Sequence, residues 1–412
     1  MAVLSSGTAI SQLLGVIAAP LISRLYSPGD FGTLASLLSV TGVINVVICL
    51  KYEMAIVIEQ EKNRVIALNW LCLAILLVIT VFSVAAVFFA TGIFMIVKDP
   101  VLANLLPWGC LILFLAGLQV IGFSLFNRER SYAAIAKTQI SQRLGTTGSQ
   151  IAFGFFGGTA FGLVLGNVVG LFAAVMLMFA ANGVKAFVPQ IKSKHEDLLS
   201  VFKYYSKFPL LTAPQSLISA MSLFLPVYVL GPFYGAAAVG SYWLGMRILM
   251  LPATLVGSSV RQVLLKEYSD RIEDSLGLQR LFWKATLGLM GIIFVPAVII
   301  FIWGPELFSF AFGGEWVAAG QYARWMILFL AASFCNPPAV VLCQVMRKNS
   351  WHLLFEILQG IGRLIFLLVP ALLGETVLVS IACYSVFGTL TNIFFVGCIA
   401  MKLFNTPTRR GI

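Results

Sequence analysis

Long apolar runs recur along the entire chain, and they restrict it to a membrane-spanning fold. Each run has about 20 residues, enough for a helix to cross the ~30 Å hydrocarbon core of a bilayer. Backbone groups in lipid must be satisfied within the protein, so only helices and closed barrels can span. Barrel strands would appear as ~10-residue segments of alternating hydrophobicity, and we find none in the sequence. The twelve predicted spans are residues 2–23, 31–50, 66–90, 101–126, 139–157, 161–182, 209–230, 236–260, 281–303, 321–346, 352–373 and 377–401.

Composition supports an all-α polytopic membrane protein and argues against an enzyme. The chain is 60% hydrophobic and 10% charged, whereas a soluble domain carries about 25% charged residues. The seven cysteines lie within apolar runs and form no CxxC pair, so we expect neither a disulfide framework nor a zinc site. Neither histidine has a metal-ligand neighbour at useful spacing, so we expect no metal and no cofactor. The predicted outward loops are short and contain no pair of acids beside a nucleophile, so we expect no enzymatic activity.

The basic residues set the orientation. If the N-terminus is cytoplasmic, 22 of the 27 Lys and Arg residues fall in cytoplasmic segments, and three (Arg24, Lys98 and Arg324) fall outside. This positive-inside bias places both termini in the cytoplasm and supports an even number of spans. Nucleic-acid binding is not expected, because the basic residues are spread over six short loops. Residues 1–23 contain no Lys or Arg, so we expect no cleavable signal peptide.

The two halves of the chain are weakly alike. The sequence "SPGDFGTLASLL" follows the first span, "YGAAAVGSYWLG" follows the seventh, and Gly32 corresponds to Gly240. We therefore expect two six-helix lobes, residues 1–195 and 196–412, as parallel repeats about an axis along the membrane normal. Prolines inside several spans favour bent helices around a central cavity.

The first turn of the chain has recognisable capping chemistry. Ser27 can cap a helix that begins at Pro28, and Asp30 three residues later suits a capping box. A turn between two helices is therefore predicted here, with Arg24 at the end of the first helix.

Arg363 is the most informative single residue. It lies about eleven residues into its apolar run, roughly 16 Å deep at 1.5 Å per residue. A mid-membrane arginine costs about 2.5–3.5 kcal/mol on insertion scales, so it should face a cavity or a partner. His352, Glu356, Gln359 and Arg363 form one helical stripe. The alternative is a structural ion pair of Arg363, with Glu356 or with a neighbouring helix.

Other polar faces carry a cationic bias. Arg247 lies midway along span 236–260 and shares its face with Trp243. Polar residues of the first span end near Arg24, and those of the second end at Lys51. Single polar residues are often helix–helix contacts, but several converging faces indicate a hydrated, positive cavity. Such a cavity selects an anionic ligand, and guanidinium groups match phosphate oxygens.

Four segments carry a family resemblance: "SGTAISQLLGVIAAPLISRLYSPGDFGTLASL", "KYEMAIVIEQEKN", "LGPFYGAAAVGSYWLGMRILMLP" and "FGGEWVAAGQYARWM". In this order they resemble one branch of the multidrug/oligosaccharidyl-lipid/polysaccharide flippase superfamily. This is the polysaccharide-exporter branch, which includes the O-antigen and oligosaccharide flippases. The resemblance covers the whole chain. It implies twelve helices in two lobes around a cavity, and translocation of undecaprenyl-pyrophosphate-linked oligosaccharide across the bacterial cytoplasmic (inner) membrane. Polymerases or glycosyltransferases would then be partner proteins.

With this resemblance, the hypothesis is an alternating-access flippase. Arg24, Arg247 and Arg363, together with Lys51, would hold the pyrophosphate, and the lipid tail would stay in the bilayer. Coupling to H⁺ or Na⁺ would use Glu356, Asp30 or Glu53. One alternative is a multidrug antiporter of the same superfamily, which would favour an acid in the first helix, where residues 1–23 have none. The other is a membrane-embedded polysaccharide polymerase, which would need a large outer loop with catalytic side chains.

Overall fold

The fold is a succession of long helices. The computed structural model describes residues 2–93, 100–182, 195–271, 274–346 and 348–404, and the regular secondary structure in these ranges is helical. The helices up to residue 204 are α1 (Ala2–Leu25), α2 (Pro28–Val46), α3 (Tyr52–Ile58), α4 (Lys62–Ile93), α5 (Pro100–Arg128), α6 (Tyr132–Phe155), α7 (Ala160–Asn182) and α8 (His195–Tyr204).

The second half continues in the same way. A π-helical turn, Phe208–Thr212, precedes the next helix, and a 3₁₀ turn, Gly314–Trp316, joins two later ones. The helices are α9 (Ala213–Tyr234), α10 (Ala236–Leu249), α11 (Leu251–Asp270), α12 (Ser275–Phe312), α13 (Val317–Phe334), α14 (Pro337–Val345), α15 (Asn349–Leu372) and α16 (Val377–Phe404).

All twelve predicted spans fall on helices, although the span 31–50 extends four residues past the end of α2. Within the described ranges, ten helices or pairs of consecutive helices are long and apolar enough to cross a membrane. The two remaining predicted spans are also helical: residues 139–157 lie within α6, and 236–260 is divided between α10 and α11. The prediction of an all-α polytopic membrane protein is therefore confirmed.

Packing divides the chain into two compact units, residues 1–228 and 229–412. Most of α9 belongs to the first unit because it packs on α2. The Tyr228 hydroxyl donates to the Ser39 carbonyl at 2.9 Å. The Phe224 ring also lies against Gly42, where an added Cβ would be only 2.9 Å from the ring. The predicted boundary between the two six-helix lobes, at residues 195/196, follows from the number of spans in each half of the chain. It stays a prediction.

Proline-associated breaks interrupt three of the long helices. The α10–α11 pair is interrupted at Met250, two residues before Pro252 in the first turn of α11. The α13–α14 pair separates at residues 335–336, before Pro337. Inside α12, Trp303 has non-helical dihedral angles two residues before Pro305. Because proline lacks the amide hydrogen and clashes with the preceding turn, these breaks follow from the sequence.

One end of the first unit brings together segments that are distant in the chain. Arg128, at the end of α5, donates to the carbonyls of Ile56 at 3.2 Å and Gln60 at 3.3 Å. The Tyr52 hydroxyl donates to the Phe202 carbonyl at 3.0 Å. The segments 51–65, 127–143 and 183–208 all belong to the side predicted to be cytoplasmic, and these contacts show parts of all three at the same end of the unit.

Candidate functional site

Arg363 lies among aromatic rings in the second unit. It is the fifteenth of the 24 residues of α15. Its Cζ is 4.4 Å from the centroid of Phe329 on α13 and 5.8 Å from that of Tyr384 on α16. These two rings meet edge to face with centroids 5.7 Å apart. A guanidinium over an aromatic face gains up to about 2 kcal/mol when water is excluded, so the rings hold the cation in place.

Glycines allow this close approach between α15 and α16. A Cβ on Gly388 would lie 3.3 Å from Arg363 Nε and 3.1 Å from the Phe329 ring. A Cβ on Gly362 would lie 2.1 Å from the Phe387 ring, so α16 contacts the backbone of α15 there. One turn away, Gln359 Nε2 donates to Thr391 Oγ1 at 2.9 Å.

Tyrosine hydroxyls add a polar edge to this cluster. Tyr242 on α10 and Tyr384 are both buried, and their hydroxyls lie close enough to influence each other electrostatically. Arg363 is close enough to interact electrostatically with both hydroxyls. The cluster therefore joins residues of four helices, α10, α13, α15 and α16, around one guanidinium.

Acidic side chains do not compensate the charge of Arg363. Among the ion pairs of the described residues, none includes Arg363, and its buried Nε has no hydrogen-bond partner there. Glu356 instead lies 3.6 Å from His352 Nε2, and its side chain is 56% exposed. The structure therefore does not contain the alternative Arg363–Glu356 ion pair.

Arg247 lies at a break in its span. It belongs to the last turn of α10, where a cation also complements the negative helix end. Its Cζ is 5.6 Å from the Trp243 ring centroid, one turn earlier. The structure thus confirms that the two side chains share a face, but the helix does not continue straight through residue 250.

The first turn of the chain gives Asp30 a structural environment. Ser27 caps α2 in the predicted capping box. Asp30 Oδ2 accepts from Ser27 N at 3.0 Å and from Ser27 Oγ at 2.6 Å, and Oδ1 accepts from Ala160 N, at the start of α7, at 2.7 Å. The carboxylate therefore fastens two helix N-termini. Arg24 is exposed nearby in the last turn of α1.

Lys51 and Glu53 form a pair at the other end of the unit. Lys51 has a left-handed backbone, with φ 66°, between α2 and α3. Its Nζ lies 3.8 Å from Glu53 Oε1. Glu53 is only 8% exposed, and Oε2 has no hydrogen-bond partner within the described ranges. Burial raises the pKa of this carboxyl, against the smaller lowering by its own backbone amide and by Lys51.

Glu59, six residues later, has the opposite environment. Its Oε2 accepts from the Tyr205 hydroxyl at 2.5 Å, and Oε1 accepts from two backbone amides, those of residues 60 and 61, at 2.7 and 2.9 Å. These donors, Tyr205 first, lower the pKa of the Glu59 carboxyl. Burial, followed by the bond to Glu59, raises the pKa of Tyr205 to about 12.

The sequence analysis missed Arg143. It counted this residue with a cytoplasmic loop, but Arg143 is the twelfth of the 24 residues of α6. The signal that could have revealed it is the row of small and polar residues on one face of α1, which needs a polar partner helix.

Comparison with known proteins identifies the family. A model of the polysaccharide biosynthesis protein family matches residues 21–321, nearly three quarters of the chain. The chain belongs to this family. The amylovoran biosynthesis protein AmsL of Erwinia amylovora is 28% identical to it over 101 residues, which is 24% of this chain and 26% of AmsL. The match to this relative thus covers about a quarter of either protein.

Solved transporters share the fold of this polysaccharide biosynthesis family member. An inward-facing multidrug resistance MATE transporter of the MOP superfamily has a TM-score of 0.73 and 13% identity, over 96% of this chain and 94% of that one. The lipid II flippase MurJ in an inward closed conformation has a TM-score of 0.72 and 14% identity, over 98% and 91%. A MOP superfamily transporter from Pyrococcus furiosus has a TM-score of 0.62 and 13% identity, over 97% and 95%. The chain therefore has the fold of MOP-superfamily membrane transporters, as the resemblance implied.

Proposed function

We propose that this protein is a flippase that moves undecaprenyl-pyrophosphate-linked oligosaccharide across the bacterial cytoplasmic membrane by alternating access. Membership of the polysaccharide biosynthesis family supports the class of cargo. The likeness to MurJ, a lipid II flippase by name, supports the mode of transport. Both termini would be cytoplasmic, as the positive-inside bias indicates. A polymerase and glycosyltransferases that build the polysaccharide would be its partners.

The observation that carries the proposal is the environment of Arg363. A guanidinium near the middle of a membrane-spanning helix, set among Phe329, Tyr384 and Tyr242 with no acidic partner in the described ranges, is suited to an anion. Its planar fork matches phosphate oxygens. Arg24, Arg247 and Lys51 stay predicted contributors to pyrophosphate binding, with Arg24 and Lys51 at opposite ends of the first unit. This chemistry needs no bond to be made or broken, so the protein would be a transporter and not an enzyme.

Glu53 is the strongest of the three candidates for ion coupling. Asp30 is occupied by two helix N-termini, and Glu356 is exposed beside His352. Glu53 alone of the three combines burial with an unpartnered oxygen. Protonation, or exchange of Na⁺, at Glu53 beside Lys51 would change the local charge during the transport cycle.

The alternatives from the sequence fit less well. A multidrug antiporter shares the fold, but the mid-span ionisable residues Arg143, Arg247 and Arg363 would repel a cationic drug. A polymerase would need catalytic side chains on a large outer loop. The joins after α1 and after α9 are short, only residues 26–27 and Gly235, and so is the 3₁₀ turn Gly314–Trp316.

The test is performed in a strain lacking the gene. We expect a lipid-linked oligosaccharide to accumulate in the cytoplasmic leaflet, and wild-type protein to restore surface polysaccharide. Arg363→Met should restore at most about a tenth of it at equal protein level. Arg280→Met, an exposed cation on α12, is the matched control and should restore it fully. Absence of the accumulated lipid would overturn the proposed function.

A further inference from the structure

A polar seam runs between α1 and α6 in the first unit. The helices approach closely where a Cβ on Gly7 would lie 2.3 Å from Ala136 Cβ. Further along, the Thr8 hydroxyl donates to Gln139 Oε1 at 2.9 Å, and the Ser11 hydroxyl donates to the Gln139 carbonyl at 3.3 Å. Gln139 is thereby fixed with its amide oxygen occupied and its amide nitrogen left as a donor.

Arg143 lies one helical turn beyond Gln139 on the same face of α6. Its Nε donates to the Ser11 carbonyl at 3.1 Å. A Cβ on Gly15 would lie 2.7 Å from Arg143 Cζ and 2.8 Å from Nη2, so the guanidinium rests directly against the backbone of α1. Arg143 can therefore occupy this position only because residue 15 is a glycine.

The adjacent helix α5 steadies the seam. Gln119 Nε2 donates to Gln142 Oε1 at 2.7 Å, beside Arg143 in the sequence. Gln119 is buried, and Gln142 is partly buried. The hydrogen-bonded groups of the seam next to Arg143 are therefore neutral amides, hydroxyls and carbonyls, and none of them neutralises its charge.

The charge of Arg143 has no acidic counterpart in the part of the chain that the structure describes. The residue is only partly exposed and lies halfway along α6, the helix that contains the predicted span 139–157. A cation there is expensive unless water or an anion reaches it. With Nε directed at Ser11, the two terminal nitrogens form the edge of the fork that can bind two oxygens of one oxyanion.

We propose that Arg143, with the amide nitrogen of Gln139, forms an oxyanion subsite carried by the first unit. Its ligand is a carboxylate or phosphate of the transported molecule, which comes either from the diphosphate linker or from an acidic sugar. This inference rests on the proposed function and adds a residue to it. It also makes Gly15 a positioning residue, because it sets where the guanidinium lies.

The experiment uses the purified full chain in lipid nanodiscs, with inorganic pyrophosphate and glucuronate as separate probes. Binding is measured by calorimetry in the Arg363→Met background, where the aromatic cluster of the second unit no longer contributes its cation. We expect at least one probe to bind still, and its affinity to fall at least tenfold when Arg143→Met is added. Pyrophosphate alone would identify the linker as the ligand, and glucuronate alone would identify an acidic sugar.

Milder variants keep the test decisive if Arg143→Met folds poorly. Arg143→Lys keeps the charge and loses the fork, so it should recover only part of the affinity. Gly15→Ala displaces the guanidinium and should weaken binding at least threefold, whereas Gly148→Ala, with nothing within 4 Å of the added Cβ, should leave it unchanged.

Two results would overturn the subsite. One is that neither probe binds in the Arg363→Met background. The other is that Arg143 variants lower the melting temperature without changing affinity, as a purely structural arginine would. Either result can occur while the deletion strain still accumulates its lipid-linked oligosaccharide, so this failure is distinguishable from failure of the proposed function.

Discussion

At the scale of single residues, acids that look alike in the sequence have different physical states. Asp30 accepts three hydrogen bonds, from Ser27 and Ala160. Glu59 accepts three as well, whereas one oxygen of buried Glu53 accepts none within the described chain. Since hydrogen-bonded carboxylates favour ionisation and buried unpartnered ones oppose it, the pKa of Glu59 is lowered and the pKa of Glu53 is raised.

Asp30→Asn tests whether that residue is structural. The amide oxygen can still cap one helix, but the variant cannot offer two acceptor oxygens to Ser27 and Ala160. We expect a lower melting temperature, equivalent to about 0.5–2 kcal/mol for a weakened cap, with most of the transport retained. Complete loss of transport in a protein of normal melting temperature would assign Asp30 to coupling instead.

Glu53→Gln and Glu59→Gln should respond to pH with opposite signs. The folded pKa of Glu53 is raised, so its contribution to stability is greatest below the unfolded value near 4.5 and is lost as pH rises through the folded pKa. Glu53→Gln should therefore gain in melting temperature relative to wild type as pH rises from 5 to 8.

The folded pKa of Glu59 is lowered, so its stabilisation is present above the unfolded value and is lost as pH falls through the folded pKa. Glu59→Gln should be less stable than wild type at pH 7, with the difference shrinking toward pH 4. Both series are measured as melting temperatures in one detergent. Parallel curves for the two variants would contradict the assigned environments.

At the scale of helices, hydropathy predicts that a helix exists better than it predicts the residues at which the helix begins and ends. The predicted span 139–157 begins late because the first turns of α6, "YAAIAKTQISQR", are too polar for a hydropathy window. These residues are helical nonetheless, since Gln139 accepts hydrogen bonds from α1 and Gln142 accepts one from α5. The same tertiary compensation hid Arg143 inside a helix. The break at Met250, in contrast, has a signal in the sequence, Pro252, but a proline inside a span predicts only a bent helix.

Gly170→Ala tests the packing of α6 on α7. A Cβ there would lie 1.9 Å from Thr146 Oγ1 and 2.6 Å from the Gln142 carbonyl oxygen, so the backbone of α6 must shift. Overpacking of this kind costs about 1–3 kcal/mol, and we expect a clearly lower melting temperature. Gly148→Ala, in open space on α6, is the control and should match or exceed wild type. Equal melting temperatures for both variants would show that these helices do not meet as described.

At the scale of the whole molecule, topology was predictable and the site only partly so. Charge bias and span length are local properties, and they suffice for the number and type of helices. Arg363 was identifiable because its depth alone makes it costly. Its partners Tyr242, Phe329 and Tyr384 were not, because they come from three other helices that only folding brings together.

Cysteine labelling tests the orientation of the whole chain. Thr376, in the join between α15 and α16, and Arg271, after α11, are both exposed and lie on opposite sides in the predicted topology. A membrane-impermeant maleimide added to intact cells should label Thr376→Cys and should label Arg271→Cys only after permeabilisation. Native cysteines in the unmodified protein provide the background signal. The reverse pattern would invert the orientation.

Reconstitution tests the central claim most directly. Purified protein in liposomes is given undecaprenyl-pyrophosphate-linked oligosaccharide, and transbilayer movement is followed by the accessibility of a labelled sugar to an external enzyme. The proposal predicts protein-dependent movement that falls at least tenfold in Arg363→Met and is partly retained in Arg363→Lys. Failure of the wild-type protein to move this lipid, with uptake of a cationic drug in the same liposomes, would contradict the proposal and favour the antiporter alternative.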